Sequence, residues 1–329
     1  MLTFHPASQP AHECTELGAC PALTEQSVWI DLLTPSVEEE HAVESALGID
    51  VPTKDEMQDI ATSSRLYQED ASLFMTATIL TKSDTSHPEA SAVTFIMTPA
   101  RLITVRYAEP LAFANFRKRR DGNPAAFATG ISVFHGLLDA VVERIADVLE
   151  NVGAGLENLS VEVFAARTGS EGGTRDYKEM LTRLGRYSDL VSKARESLLS
   201  LARLCWFYQE ADKATFISPA EQPGVDAHVG TVSRDIASLN DHAAFLSGKI
   251  AFLLDATLGL INVEQNAIIK IVSVAAVVFL PPTLVASIYG MNFQHMPELG
   301  WRWGYLAVMI VMLVVCVALH GRFKRIGWL

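Results

Sequence analysis

The residues best suited to bind a metal cation lie near the C-terminus, in a short polar stretch between two long apolar runs. Asn292 offers a neutral amide oxygen and Glu298 a carboxylate, and both follow the pair Gly290-Met291. Oxygen atoms of these kinds are the ligands that hard cations such as Mg²⁺ and Ca²⁺ prefer. A loop that presents them between two apolar runs is predicted to be the outer mouth of an ion pore.

These residues also have plainer interpretations. Gly and Asn commonly end a helix in the left-handed conformation, so Gly290 and Asn292 could simply close the last turn. Glu298 is the sole carboxylate of the loop and could be an ordinary solvated acid. A capped helix end and a pore mouth are compatible, because the end of a helix also directs its carbonyl oxygens outward.

The two apolar runs predict membrane-spanning helices. Residues 268–288 contain one charge, Lys270 near the start, and match a span of about 20 residues. Residues 305–320 are shorter and uncharged, and Trp301 and Trp303 extend them with an interfacial aromatic belt. The loop 289–304 joins the two predicted spans.

The distribution of charge predicts the orientation of the spans. Arg322, Lys324 and Arg325 follow the second span, whereas the loop contains only Arg302 as a basic residue. Basic residues favour the cytoplasmic side, so both termini are predicted to be cytoplasmic and the loop external. No cleaved signal is apparent at the N-terminus, so the bulk of the chain is predicted to stay in the cytoplasm. The net charge of −12 argues against nucleic acid as a partner.

Two spans cannot enclose a polar path by themselves. In lipid each helix satisfies its backbone groups internally, and a lumen needs several helices around it. A pore therefore requires a homo-oligomer with cyclic symmetry.

The preceding 267 residues are predicted to form a cytoplasmic body and a stalk that hold the pore. Strands are predicted at 28–33, 64–69, 73–80, 92–98 and 101–107, and long helices at 133–164 and 177–205, from alternating and helical apolar spacing respectively. The predicted division is a flexible arm at 1–25, an α/β domain with a helical hairpin at 26–225, a stalk helix at 226–267, the two spans and their loop, and a basic tail at 321–329.

Local signals mark several helix ends. Thr34-Pro35 is predicted to cap a helix that stops at Gly48, and Thr53 with Glu56 forms a capping box. Residues 169–173 and the prolines at 219 and 223 are predicted to lie in turns or loops. In the arm, His12, Cys14 and Cys20 could bind a soft metal, or the two cysteines could be free thiols in a disordered tail.

In the loop and at the end of the first predicted span, Tyr289-Gly290-Met291-Asn292 is followed by Met296-Pro297-Glu298-Leu299. With this signature the sequence resembles the proteobacterial branch of the CorA family of magnesium channels. Further similarity lies in the segments Ile261–Asn266, Ile268–Ile271, Val278–Ser287, Pro52–Met57 and Ser63–Tyr67.

The resemblance implies a funnel-shaped homopentamer in the bacterial inner membrane that conducts Mg²⁺, and also Co²⁺ and Ni²⁺, inward. It implies Mg²⁺ both as substrate and as regulatory ligand, with no covalently bound cofactor and no enzymatic activity. The filter would be Gly290, Met291 and Asn292, and a ring of Glu298 would attract cations. The pore-facing positions would be Asn266, Ile269, Val272, Leu280 and Thr283. Candidate regulatory carboxylates are Asp226, Asp235 and Asp255.

Each of these assignments has an alternative. Leu280, Val272 and Ile269 could gate the pore by dewetting or could merely pack against neighbouring helices. The Thr283 hydroxyl could bond back to a carbonyl of the preceding turn, although a place in the lumen is preferred. Asn266 could be a solvated stalk residue, and the stalk acids could be a solvated face.

Two other functions compete with a Mg²⁺ channel. A Zn²⁺ or other divalent-cation transporter of the same superfamily is the nearer, although the strict Gly-Met-Asn signature favours Mg²⁺. A membrane-anchored receptor or scaffold is the other, with the two spans acting only as a tether. No hydrolase, zinc-protease or nucleotide-binding motif is present to suggest an enzyme.

Overall fold

A seven-stranded mixed sheet and long helices build the protein in the computed structural model. The structure describes residues 1–7, 11–13, 27–59, 61–165, 176–211, 222–291 and 300–327. The chain divides into two units, Met1–Leu254 and Asp255–Leu329.

The sheet lies in the first unit. Its strands are β1 (Leu2–Pro6), β2 (His12–Glu13), β3 (Ser27–Leu33), β4 (Leu66–Glu69), β5 (Ser72–Thr81), β6 (Glu89–Met97) and β7 (Leu102–Arg106). The strand order is β2-β1-β3-β7-β6-β5-β4. Only the central pair β3–β7 is parallel among these neighbours, and the others are antiparallel. The predicted α/β class of this region is confirmed.

Eight α-helices and one short 3₁₀ helix (Pro124–Phe127) accompany the sheet in the described residues. The α-helices are α1 (Val37–Leu47), α2 (Lys54–Met57), α3 (Thr62–Arg65), α4 (Leu111–Gly122), α5 (Gly130–Phe164), α6 (Tyr177–Glu210), α7 (Gln222–Tyr289) and α8 (Gly304–Ile326). The predicted long helices at 133–164 and 177–205 are confirmed as α5 and α6.

The helix ends follow the capping chemistry of the sequence, with one correction. Gly48 ends α1 with φ 65°, and the Thr53–Glu56 capping box opens α2, both as predicted. The cap of α1, however, is Ser36 and not Thr34-Pro35. The Ser36 hydroxyl accepts from the Glu39 amide, and the Glu39 carboxylate accepts from the Ser36 amide, so the two groups satisfy each other.

The N-terminal residues correct a second expectation. Residues 1–25 were predicted to be a flexible arm, but β1 lies inside the sheet between β2 and β3, with every residue buried. Leu2 and Phe4 are buried in one apolar core with Ile30 and Leu32 of β3. Strand pairing and this core hold the segment, although five residues are too few for a strong apolar pattern. Cys14 and Cys20 lie outside the described residues, as does the predicted turn at 169–173.

Two other boundaries differ from the predictions. The strand predicted at 64–69 begins at Leu66, after the single turn of α3. Pro223 and Gly224, predicted to lie in a loop, belong to the first turn of α7. Proline is tolerated there because the first amides of a helix have no partner within the helix.

The first part of α7 is not a free stalk, because it contributes to the core of the first unit. One face of the helix is buried as far as the end of that unit. The side chains on this face are Val229, Val232, Ile236, Ala243, Leu246, Ile250 and Leu253. Their spacing of three, four or seven residues forms one apolar stripe, and this stripe explains the burial.

A buried ion pair links the two parallel strands. Asp31 of β3 accepts from Nε of Arg106 at 2.9 Å and from Nη2 of Arg106 at 2.7 Å. The Thr104 hydroxyl donates to Asp31 at 2.7 Å and accepts from the indole of Trp29 at 2.9 Å. Burial opposes ionisation of Asp31, but the charge and hydrogen bonds of Arg106 outweigh it, so the pKa of Asp31 lies below its usual value.

Candidate functional site

Two helices of the described chain are long and apolar enough to cross a membrane. These are α7, through its C-terminal part, and α8. Most side chains in these parts are exposed within the single chain, and Phe279, Leu280 and Leu313 are each more than 60% exposed. Apolar helices that leave so much surface uncovered need lipid or further protein around them.

Within the second unit, contact with α8 marks one side of the α7 segment 268–288. Val274 is 5% exposed, and the carbonyl oxygen of Val278, one turn further, lies 3.7 Å from Cys316 Sγ of α8. Successive residues turn by roughly 100° around a helix. Val274 and Val278 therefore mark the side that faces α8.

The predicted pore-facing residues lie on the other half of the helix. All five are exposed in the single chain, and helical geometry places them on the side away from α8. They are Asn266, Ile269, Val272, Leu280 and Thr283. This arrangement leaves one continuous face of α7 without a partner among the described residues, and its role in a pore stays a prediction.

Pro281 and Pro282 interrupt the backbone hydrogen bonds of α7 within the segment 268–288. Pro282 has no amide proton, so the carbonyl oxygen of Val278 loses its usual helical donor. The Cys316 thiol of α8 supplies a weak substitute at 3.7 Å. Sequence reasoning did not identify this contact. The signal for it was a proline that frees a carbonyl, but no pattern indicates which residue of another helix replaces the donor.

The Thr283 hydroxyl takes the less favoured of its two predicted alternatives. It donates to the carbonyl oxygen of Phe279 at 2.7 Å, so it bonds back to the preceding turn and does not extend away from its helix. This local bond satisfies the hydroxyl within α7. The structure therefore has the back-bonded hydroxyl and not the preferred alternative, a hydroxyl in the lumen. That position 283 faces a pore stays a prediction.

Gly290 does not have the backbone conformation that would explain it as a left-handed helix cap. Helix α7 ends at Tyr289, and the Gly290 amide donates to the carbonyl of Ala286 at 2.9 Å. Its φ lies outside the left-handed region, and an added Cβ would come no closer than 3.3 Å to the Ala286 oxygen. A Cβ at that distance from a backbone oxygen would be tight, so a larger residue at position 290 would require a small shift of the helix end. Asn292 and Glu298 lie outside the described residues.

The three candidate regulatory carboxylates do not form a metal site within one chain. Asp235 and Asp255 are exposed on α7, and Asp226 is half-buried near its start. No group of three or more His, Cys, Asp or Glu side chains suited to a metal ion occurs in the parts of the chain that the structure describes. Burial raises the pKa of Tyr208, and the negative charge of Asp226 adds to that shift.

Comparison with known proteins identifies the family. The sequence profile described as "CorA-like Mg2+ transporter protein" matches residues 24–325. The chain is also 36% identical over 304 residues to the magnesium transport protein CorA of Escherichia coli K12, which covers 92% of both chains. This chain belongs to the CorA-like Mg²⁺ transporter family. The resemblance inferred from the signature in the loop 289–304 is thus confirmed.

The fold of CorA proteins agrees with the structure described above. The complete structure of the CorA magnesium transporter from Methanocaldococcus jannaschii matches with a TM-score of 0.74 at 19% identity, covering 100% of this chain and 98% of that one. The full-length CmaX protein matches with a TM-score of 0.65 at 16% identity, covering 91% and 88%. At these identities the matches establish the shared fold and nothing more specific.

Proposed function

We propose that this protein is a channel that conducts Mg²⁺ into the cytoplasm. The observation that carries the proposal is its 36% identity over 92% of its length to the magnesium transport protein CorA of Escherichia coli K12. The proposed channel is a homopentamer in the bacterial inner membrane, with both termini cytoplasmic and the loop 289–304 outside. Co²⁺ and Ni²⁺ are proposed as further permeant ions.

The uncovered face of α7 supports an assembly of several copies. Ile269, Val272 and Leu280 are each more than 60% exposed in the single chain, and all lie on the side away from α8. In a cyclic homo-oligomer these faces would surround the axis, with α8 outside them. Rings of such apolar side chains would close the path to ions by dewetting.

The loop beyond α7 supplies the proposed filter. A ring of Asn292 amide oxygens would accept hydrogen bonds from the water around Mg²⁺, so the ion could be selected without losing its hydration shell. Gly290 and Met291 complete the proposed filter, and a ring of Glu298 would raise the local cation concentration.

Control by cytoplasmic Mg²⁺ is the regulatory part of the proposal. Asp226, Asp235 and Asp255 lie along α7, the helix that continues into the proposed pore. Mg²⁺ held by these carboxylates between neighbouring copies would favour a closed state, and its loss would shift the population towards an open one.

The test is ion flux into liposomes that contain the purified chain. Mg²⁺ influx is measured with a trapped indicator dye, for the native chain and for Asn292→Ala, with Zn²⁺, Co²⁺ and Ni²⁺ as competitors. We expect Mg²⁺ influx that falls roughly tenfold or more in Asn292→Ala, since hydrogen bonds to a charged centre are lost. Full flux in that variant would support the receptor or scaffold instead, and preferential Zn²⁺ flux would support a Zn²⁺ transporter.

A matched pair of variants tests the proposed gate. Leu280 and Leu313 are 69% and 65% exposed in the single chain, but Leu280 is on the proposed pore face of α7 and Leu313 is on α8. Leu280→Ala should raise influx into liposomes preloaded with Mg²⁺, because it widens an apolar ring. Leu313→Ala should leave that influx unchanged. If the two variants behave alike, Leu280 is not part of the gate. If influx does not depend on the preloaded Mg²⁺, the regulatory proposal is wrong.

A further inference from the structure

A cavity of about 330 Å³ in the first unit is lined by three arginines. Arg144 extends from α5, and Arg183 and Arg186 lie one turn apart on α6. The turn between β5 and β6 completes the wall with Ser83 and Asp84. Three guanidinium groups around one cavity are unexpected in a chain whose net charge is −12.

Arg144 has hydrogen-bonding capacity that the described chain does not use. Its Nη2 donates to the Ser83 hydroxyl at 2.7 Å and pairs with the Asp84 carboxylate. Its Nε is buried and has no acceptor among the described residues. A buried donor without an acceptor is costly, so Arg144 keeps unsatisfied donor capacity in the wall of the cavity.

The two arginines of α6 differ in how far their charges are compensated. Arg183 donates to both oxygens of Glu162, at 2.8 and 3.1 Å. Arg186 donates to the carbonyl oxygen of Thr85 at 3.0 Å, and no carboxylate in the described part of the chain forms an ion pair with it. With one acid on Arg144 and one on Arg183, the cavity keeps a net positive charge.

The remaining polar lining favours an oxyanion as the ligand. Asn151 and Tyr187 also line the cavity, so amide and phenol groups stand beside the guanidinium groups. The planar guanidinium fork matches the oxygens of a phosphate group, and such hydrogen bonds are strengthened by charge. The volume lies at the lower end of the range for small-molecule pockets. We propose that this cavity binds the phosphate group of a small anion, either inorganic phosphate or the phosphate chain of a nucleotide.

The proposal is tested by isothermal titration calorimetry on the full-length protein in detergent. The titrants are inorganic phosphate, pyrophosphate and ATP, in metal-free buffer at constant ionic strength. We expect saturable binding of at least one of them. ATP binding more tightly than pyrophosphate would assign the site to a nucleotide, whereas equal or weaker binding of ATP would assign it to the phosphate group alone.

Two variants should change the affinity in opposite directions. Arg186→Gln removes a charge that has no carboxylate partner and should weaken binding roughly tenfold. Asp84→Asn removes the carboxylate from the cavity wall and frees Nη2 of Arg144, so it should tighten binding. Arg203→Gln is the matched control, because Arg203 is an exposed arginine of the same helix that does not line the cavity.

Three results would overturn the proposal. They are the absence of saturable binding at millimolar concentrations, an equal loss of affinity in Arg186→Gln and Arg203→Gln, and weaker binding in Asp84→Asn. If Arg186→Gln does not fold, Asn151→Ala replaces it, and unchanged affinity in that variant would also count against the site. The test uses no ion flux, so its outcome is independent of the proposed channel function.

Discussion

Acid should destabilise the first unit through His5, a buried histidine of β1. Its ring stacks on Trp29 with the centroids 4.0 Å apart. The pKa of His5 is lowered to about 3, mainly by burial; the negative charge of Asp31 partly opposes this shift, and the positive charge of Arg120 adds to it. The folded chain therefore keeps His5 neutral at any pH well above 3.

The sign of the effect follows from proton binding in the two states. In the unfolded chain a histidine has a pKa of about 6.5, so between pH 6.5 and 3 the unfolded state binds a proton that the folded state does not. Stability is then fully present above pH 6.5 and is lost as the pH falls below it. One pH unit below 6.5 the loss from His5 is about 1.4 kcal/mol. For a unit of this size that corresponds to a fall in Tm of about 2–4 °C.

The assay compares thermal unfolding of the full chain in detergent at pH 7.5 and 5.5. Other groups also titrate, so the informative quantity is the difference between the native chain and His5→Phe, which keeps an aromatic ring beside Trp29. The acid-induced fall in Tm should be smaller in His5→Phe by the amount given above. His87→Phe, a change at an exposed histidine of the β5–β6 turn, should keep the native response. An equal acid response in His5→Phe and the native chain would show that His5 is not held neutral by the fold.

Two further predictions concern packing in the first unit, and both are checked by thermal or denaturant unfolding. Asp31→Asn leaves the fully buried charge of Arg106 without its carboxylate and should cost about 3–5 kcal/mol; a loss below about 1 kcal/mol would contradict the structure. Gly130→Ala would place a Cβ 2.6 Å from the backbone carbonyl carbon of Arg101, so the start of α5 must shift at a cost of about 1–3 kcal/mol. Gly185→Ala in α6 is the control, because nothing lies within 4 Å of its Cβ position, and it should be neutral or stabilising.

The proposed pore helix α7 shows that the partner of a backbone group depends on more than the local sequence pattern. Pro281-Pro282 predicts an interruption of helical hydrogen bonds, because proline has no amide proton. Whether the freed carbonyl of Val278 faces lipid, a neighbouring copy or another helix depends on where α8 lies. In the structure, Cys316 of α8 is the group that contacts it.

Signals that depend on local chemistry or on long apolar runs could be predicted from the sequence alone. The two apolar spans, the Thr53–Glu56 capping box, the glycine end of α1 and the long helices α5 and α6 belong to this class. Each depends on residues within a few turns of one another or on the length of an apolar run, so no distant contact is needed. The family signature in the loop 289–304 was equally visible, because it is a property of the residue order.

Tertiary structure decided which segments found partners far along the chain. Strand β1 has only five residues, which are too few for a recognisable apolar pattern. It is buried because it pairs with β3 and its apolar side chains pack into the core that contains Ile30. The apolar stripe of α7 is covered within the first unit and becomes largely exposed beyond it, which helical periodicity alone does not reveal. The arginines around the 330 Å³ cavity lie on two helices and are brought together only by their packing. In each case the deciding free energy comes from contacts between distant residues, and single-sequence patterns do not record these contacts.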